Sequence, residues 1–270
     1  MTANRKQLLH LASIPVIALF VGIGDAQGET IVNTSTTAIF DATGGNDNNN
    51  IVTVNDPNDG LGLTMNVTLT PNATDIAQTA NAVNLVEIGG NANGSGLYLR
   101  GGQIYFLVKM SGAATNAVTE GQYPDTAQDD TNNMIGVRTS NIAGISNGGV
   151  LTAGVEYSVA GILDIANNTV TLAIKPDGGS ITSQTWAITR DSSNWAGNNT
   201  VVSFNPPGNA GAGNTNAGHP FQEGTANMKA LTGDAGQALI FNEVATLVPE
   251  PSSLALLGLG GLLLARRRRA

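Results

Sequence analysis

The stretch GLYLRGGQIYFLVKM, residues 96–110, turns back on itself. Leu97 and Leu99 alternate with Tyr98 and Arg100, and Ile104, Phe106 and Val108 face the same way on the return. A two-residue Gly101-Gly102 link between alternating apolar runs predicts a tight β-hairpin. A second hairpin is legible in VEYSVAGILDIANNTVTLAIKPDGG, residues 155–179. There a strand over 156–165 turns at Asn167-Asn168 and returns through Val170, Leu172 and Ile174. Pro176-Asp177-Gly178 then opens another turn.

The same alternation of β-branched runs and turn clusters recurs along the chain. It predicts strands at 30–33, 38–41, 51–54, 62–70, 83–88, 96–100, 103–110, 134–138, 156–165, 169–175, 184–189, 201–204, 227–231 and 237–244. Clusters of Gly, Asn, Asp and Pro separate them at 43–50, 56–60, 89–96, 165–168, 176–179 and 206–218. Between the two ends of the chain the best helical candidate is Asp75–Asn81, one or two turns at most. Many strands without crossover helices mean an all-β, antiparallel sandwich rather than a parallel sheet. No strict internal repeat points to a solenoid or propeller.

The two ends stand apart from this pattern. Arg5 and Lys6 precede an apolar run from Leu8 to Ile23, and Gly24-Asp25-Ala26 ends it with small residues. That order predicts a signal peptide over 1–26, forming a helix and cut after Ala26; a buried N-terminal helix is the alternative. The sandwich domain then occupies 27–246, and a separate tail occupies 247–270. The basic side chains of 27–246 are Arg100, Lys109, Arg138, Lys175, Arg190 and Lys229. Acidic ones outnumber them, so the domain is more acidic than the whole-chain net charge of −8. Such a field repels phosphate backbones and argues against nucleic acid as a partner. The chain has no cysteine, so an exported domain must hold by its core alone, which this length permits.

Hydrolytic chemistry finds few footholds. The domain has one histidine, His219, in a loop, and no cysteine nucleophile, so neither a Ser-His-Asp set nor a zinc site is expected. Clusters of hard oxygen ligands occur at Asp41…Asp47, at Asp56 and Asp59, and at Asp125, Asp129 and Asp130. These either hold a structural Ca²⁺ or simply cap turns. None reproduces an EF-hand loop. Trp195, His219 and Phe221 sit in loops and are the candidate glycan contacts. Trp195 serves equally as a loop anchor, and Trp186 alternates with Ile188 as a core residue would.

The segments SGLYLRGGQIYFLVKM, LTAGVEYSVAGILDIANNTVTLAIKPDGG and QALIFNEVATL, spanning about 83–244, together resemble the laminin-G and concanavalin A-like lectin/glucanase superfamily. Where that pattern carries tryptophan and histidine, this chain has Val155-Glu156 and Ser158. The resemblance implies a jelly-roll sandwich of two curved antiparallel sheets. It also raises an alternative function, a polysaccharide-acting hydrolase or lyase on the same fold. The glucanase branch places its carboxylates at E-x-D-x-x-E on one strand, and retaining enzymes hold them about 5–5.5 Å apart. No such spacing occurs here. Glu156 and Asp164 share parity, but at about 3.3 Å per strand residue they lie far too distant. Glu87, Glu120, Glu223 and Glu243 are each isolated in sequence. The expectation is a protein that is not an enzyme.

The tail reads VPEPSSLALLGLGGLLLARRRR, residues 248–269. Its apolar helix, Leu254–Ala265, is about 20 Å long at 1.5 Å per residue, against roughly 30 Å of hydrocarbon. Such a short transmembrane helix spans by thinning the bilayer or snorkelling its ends. Arg266, Arg267, Arg268 and Arg269 hold its end in the cytoplasm by the positive-inside bias. The Pro-Glu-Pro triplet, the Leu/Gly helix and the arginine cluster resemble the PEP-CTERM sorting domain. That resemblance implies recognition by an exosortase, a membrane cysteine transpeptidase of bacteria that make extracellular polysaccharide. It implies processing near Pro249, Glu250 and Pro251, a transient membrane anchor, and delivery to the cell surface or the extracellular matrix.

Overall fold

The computed structural model describes residues 30–44, 47–52, 62–80, 82–89, 94–109, 134–187, 200–205 and 229–248. In chain order the elements begin with β1 (Val32–Asn33), β2 (Phe40–Thr43), β3 (Asp47–Val52), β4 (Leu63–Leu69) and the single-turn helix α1 (Ala73–Ala77). Then come β5 (Val83–Gly89), β6 (Gly94–Arg100), β7 (Gln103–Lys109) and β8 (Met134–Arg138). The last are β9 (Tyr157–Asp164), β10 (Thr169–Pro176), β11 (Thr182–Ala187), β12 (Thr200–Phe204), β13 (Gln237–Phe241) and β14 (Thr246–Leu247).

The strands form two six-stranded sheets and a two-stranded ribbon. The first sheet runs β11-β10-β9-β4-β13-β2, the second β3-β12-β5-β6-β7-β8, and the ribbon pairs β1 with β14. Every strand pairing is antiparallel. Both predicted hairpins form. Arg100 pairs with Gln103 across Gly101 and Gly102, whose φ values of 57° and 73° are those a primed turn demands. Asp164 pairs with Thr169, and Asn168 adopts φ 54°, a left-handed conformation that asparagine tolerates.

One apolar cluster draws on both sheets. Met65, Val67, Val159, Leu163, Leu172 and Ile240 of the first sheet meet Val86, Leu97, Leu99, Ile104, Phe106 and Val108 of the second. These residues alternate along their strands, so each sheet gives one face to a shared core, which makes the architecture a β-sandwich. Trp186, half-buried on the edge strand β11, packs against this cluster, as its alternation predicts.

The sequence and the structure part company in several places, and β3 already begins at Asp47, inside the cluster 43–50 expected to be a turn, ahead of the strand expected at 51–54. The expected strand at 227–231 is reduced, within the described residues, to one bridge between Lys229 and Val83. β11 starts two residues earlier than its apolar pattern suggests, because Thr182 is drawn into register opposite Ile174. α1 begins at Ala73 rather than Asp75. Asn72 caps it, its side chain accepting from the Thr74 and Asp75 N–H groups, while the Asp75 carboxylate accepts from the Asn72 N–H, the reciprocal capping box. Finally, β13 ends at Phe241 instead of 244, and the chain bends before a further strand, β14, that the sequence pattern does not announce.

Candidate functional site

The ribbon lies on the outer face of the first sheet. Ala160 and Ala173 pair across β9 and β10, and their small side chains leave room above them. Ile31, Val32, Phe241 and Ala245 pack there in a second apolar cluster, with Leu239 and Leu247 against it. Polar groups of β4 pin the ribbon down. The Ile31 N–H donates to Asn66 Oδ1 at 3.2 Å. Thr64 Oγ1 donates to the Glu243 carbonyl at 2.7 Å and accepts from the Ala245 N–H at 3.0 Å.

A carboxylate closes the arrangement. Glu243 is buried. Its Oε1 accepts from the Ser35 N–H at 2.7 Å and the Thr36 N–H at 3.1 Å, and its Oε2 accepts from the Ser35 hydroxyl. Burial pushes against ionisation, but the donors of Ser35 and Thr36 outweigh it and hold the carboxyl below its ordinary value. An anion set among converging N–H donors is favoured in this way. The clasp joins the chain just after β1 to the chain just before β14.

Within the ribbon, Val32 is opposite Leu247 and Asn33 opposite Thr246. The Val248 N–H donates to the Ile31 carbonyl at 2.9 Å. Thr30 and Val248, the first and last described residues, therefore leave the domain at the same end of one ladder.

Residues 247–269 match the PEP-CTERM protein-sorting motif. The sorting motif implies export, passage through a membrane-held stage by way of the C-terminal segment, and processing by an exosortase. Its first residue, Leu247, is paired in β14 and packed on the second apolar cluster. No curated protein sequence matches the chain. Among solved structures, the CBM40 of the Ruminococcus gnavus IT-sialidase, bound to alpha2,3 sialyllactose, is 11% identical with a TM-score of 0.42, over 81% of this chain and 98% of that one. The LG1-3 region of the laminin alpha2 chain is 10% identical with a TM-score of 0.41, over 72% of this chain and 30% of that one. The PL-14 alginate lyase from Aplysia kurodai is 10% identical with a TM-score of 0.35, over 70% of this chain and 71% of that one.

Of the other predicted site residues, Asp41 accepts from Gln237 Nε2 at 2.8 Å, and those that follow lie outside the described residues. They are Ala26, Pro249, Glu250, Pro251 and Arg266–Arg269; the glycan candidates Trp195, His219 and Phe221; and the cation candidates Asp56, Asp59, Asp125, Asp129 and Asp130. Among the described residues, no group of three or more His, Cys, Asp or Glu is placed to hold a metal ion. Among the same residues, no helix is long and apolar enough to cross a membrane; the apolar segments 8–23 and 254–265 are not part of them.

Two features were not legible in the sequence. On the second sheet's outer face the Tyr98 hydroxyl donates to Glu87 Oε2 at 2.6 Å, and both residues are buried. Glu87 pairs with Gly96, and a Cβ at Gly96 would lie 2.4 Å from the Tyr98 hydroxyl oxygen. The missing side chain is what lets the ring lie along its own strand to reach the carboxylate. A glycine inside a strand marks such a close approach, and Gly96 was the available signal. The other feature is a hydroxyl strip at the first sheet's edge. Thr171 and Thr185 pair across β10 and β11 with their hydroxyls 2.7 Å apart. Ser183 and Thr169 share that face, and Lys175 ends it.

Proposed function

We propose that this chain is an exported, non-catalytic sandwich of the concanavalin A-like jelly-roll type. An exosortase delivers it to the cell surface or the extracellular polysaccharide matrix, where it acts as a structural, adhesive or glycan-binding module. A signal peptide over 1–26 starts export, and the short helix 254–265 holds the chain in the membrane until the tail is cut. The observation that carries this reading is the sorting motif at 247–269, which begins within a closed domain.

The engagement of four of the described carboxylates supports a non-catalytic domain. Glu87 is bonded to Tyr98, Glu243 to Ser35 and Thr36, Asp164 to Asn167, and Asp75 to Asn72, Thr232 and Gly233. Glycosidase chemistry asks instead for two carboxyl groups flanking one bond. The hydroxyl strip of β10 and β11 supports contact with a polyhydroxylated surface, because it offers donors and acceptors with little charge to desolvate.

The sorting reading is tested by replacing Pro249, Glu250 and Pro251 with alanine in an exosortase-positive host. The expected result is an unprocessed chain retained in the inner membrane; unchanged fractionation and tail length would refute sorting. A glycan array and a pull-down on whole extracellular polysaccharide test the glycan version. Silence in both removes it and leaves the structural role.

A further inference from the structure

The sorting motif is joined to the domain without a spacer. Thr246 and Leu247 are paired in β14, Val248 is hydrogen-bonded to Ile31, and Pro249 follows at once. Upstream, the Ala245 N–H is held by Thr64, and the Glu243 carboxylate is held by Ser35 and Thr36. An enzyme that cuts a chain takes it as an extended segment with residues on both sides of the scissile bond, and extended segments are recognised largely through their main-chain groups. Here the residues just before Pro249 already spend those groups on β1 and β4, and the side chain of Leu247 on the second apolar cluster.

We propose that β14 must peel away from β1 before the exosortase can act, so that the exosortase reads the strand Thr246–Val248 as well as the tail. The inference rests on the sorting reading above. The step concerned breaks one peptide bond of the tail. The amine leaves with the membrane segment, and the carbonyl carbon passes through the enzyme's thiolate to water or to an acceptor amine. Ribbon opening precedes that attack, and the Glu243 clasp sets how far the peel extends. Local openings of this kind are cheapest at chain ends held by few bonds, and a two-residue ladder is such an end.

The test uses the full chain in an exosortase-positive host. Asn33 and Thr246 are exposed, face one another and lie outside the matched motif. The wild-type chain has no cysteine, so Asn33→Cys with Thr246→Cys has one disulfide to form. Cross-strand neighbours of this kind fall within disulfide reach. The stapled chain should accumulate as unprocessed precursor, while the same double variant kept reduced should be processed. A flexible Gly/Ser insert after Val248 should restore processing to the stapled chain by supplying the missing reach. Processing of the stapled chain at the wild-type rate would overturn the inference and leave the sorting reading standing. If the host leaves even the wild-type chain uncut, the sorting reading falls and takes this inference with it.

Discussion

Phe106 of one sheet packs its ring directly on the α-carbon of Gly161 of the other. A Cβ placed on Gly161 would lie 2.5 Å from Phe106 Cδ2, so the absence of a side chain on β9 makes the space the ring occupies. Gly161→Ala should therefore act as overpacking and lower stability by about 1–3 kcal/mol. Adding Phe106→Leu should return part of that loss, whereas Phe106→Ala alone should cost about 3–5 kcal/mol. Urea denaturation of the four proteins reads all of these, and equal stability of Gly161→Ala and wild type would show that the sheets adjust freely.

Tyr98, Gly96 and Glu87 form one unit on the opposite face. Tyr98→Phe removes a hydroxyl from a buried carboxylate, at a cost of about 1–3 kcal/mol. Gly96→Ala should displace the ring and lose the same contact. Because both changes act through one hydrogen bond, the double variant should lose less than the sum of the singles. A double-mutant cycle measures this; strictly additive losses would mean that Gly96 does not act through the ring.

Glu243 makes stability depend on pH. Its folded pKa lies below the ordinary 4.5 because the Ser35 and Thr36 donors outweigh burial. The carboxylate's contribution is therefore complete above about pH 4.5 and is lost as pH falls through the folded value. Glu243→Gln should weaken the domain at neutral pH and flatten its acid sensitivity in that window. Thermal melts of both proteins from pH 7 to pH 3 give the comparison; parallel curves would exclude the clasp as a source of the acid loss.

Asp75 ties α1 to a distant turn. Besides the Asn72 N–H, its carboxylate accepts from the N–H and hydroxyl of Thr232 and from the Gly233 N–H, at 2.8–2.9 Å. Asp75→Ala should deprotect the amides of Thr232 and Gly233 together with those of α1 in hydrogen exchange, and lower stability by at least about 1–3 kcal/mol. Loss of protection confined to α1 would show that the turn holds without it.

The sandwich was legible where one strand's side chains alternate between core and surface. Leu97, Leu99, Ile104 and Phe106 mark their face without reference to any other segment, and Gly101-Gly102 marks the turn between them. What stayed hidden depends on partners remote in sequence. A two-residue strand has no period, so β14 could not be read from the sequence, although the expected strand at 30–33 does contain β1. Leu247 looked like the start of a membrane tail because its packing partners, Ile31 and Val32, stand at the far end of the chain. Glu243 looked isolated because its donors, two backbone N–H groups and the Ser35 hydroxyl, lie more than two hundred residues away. The tail itself was legible, since its order of proline, leucine and arginine is local.

The ribbon also decides how the domain bears load. Its two strands leave side by side, so a pull on Pro249 meets the ladder end-on and breaks its bonds in succession, starting with Val248 to Ile31. Strands drawn along their length would share the force among all their bonds; strands opened from the end do not. A domain hauled by its tail therefore yields first at its last strand, and the two packed sheets behind the Glu243 clasp feel the strain only afterwards.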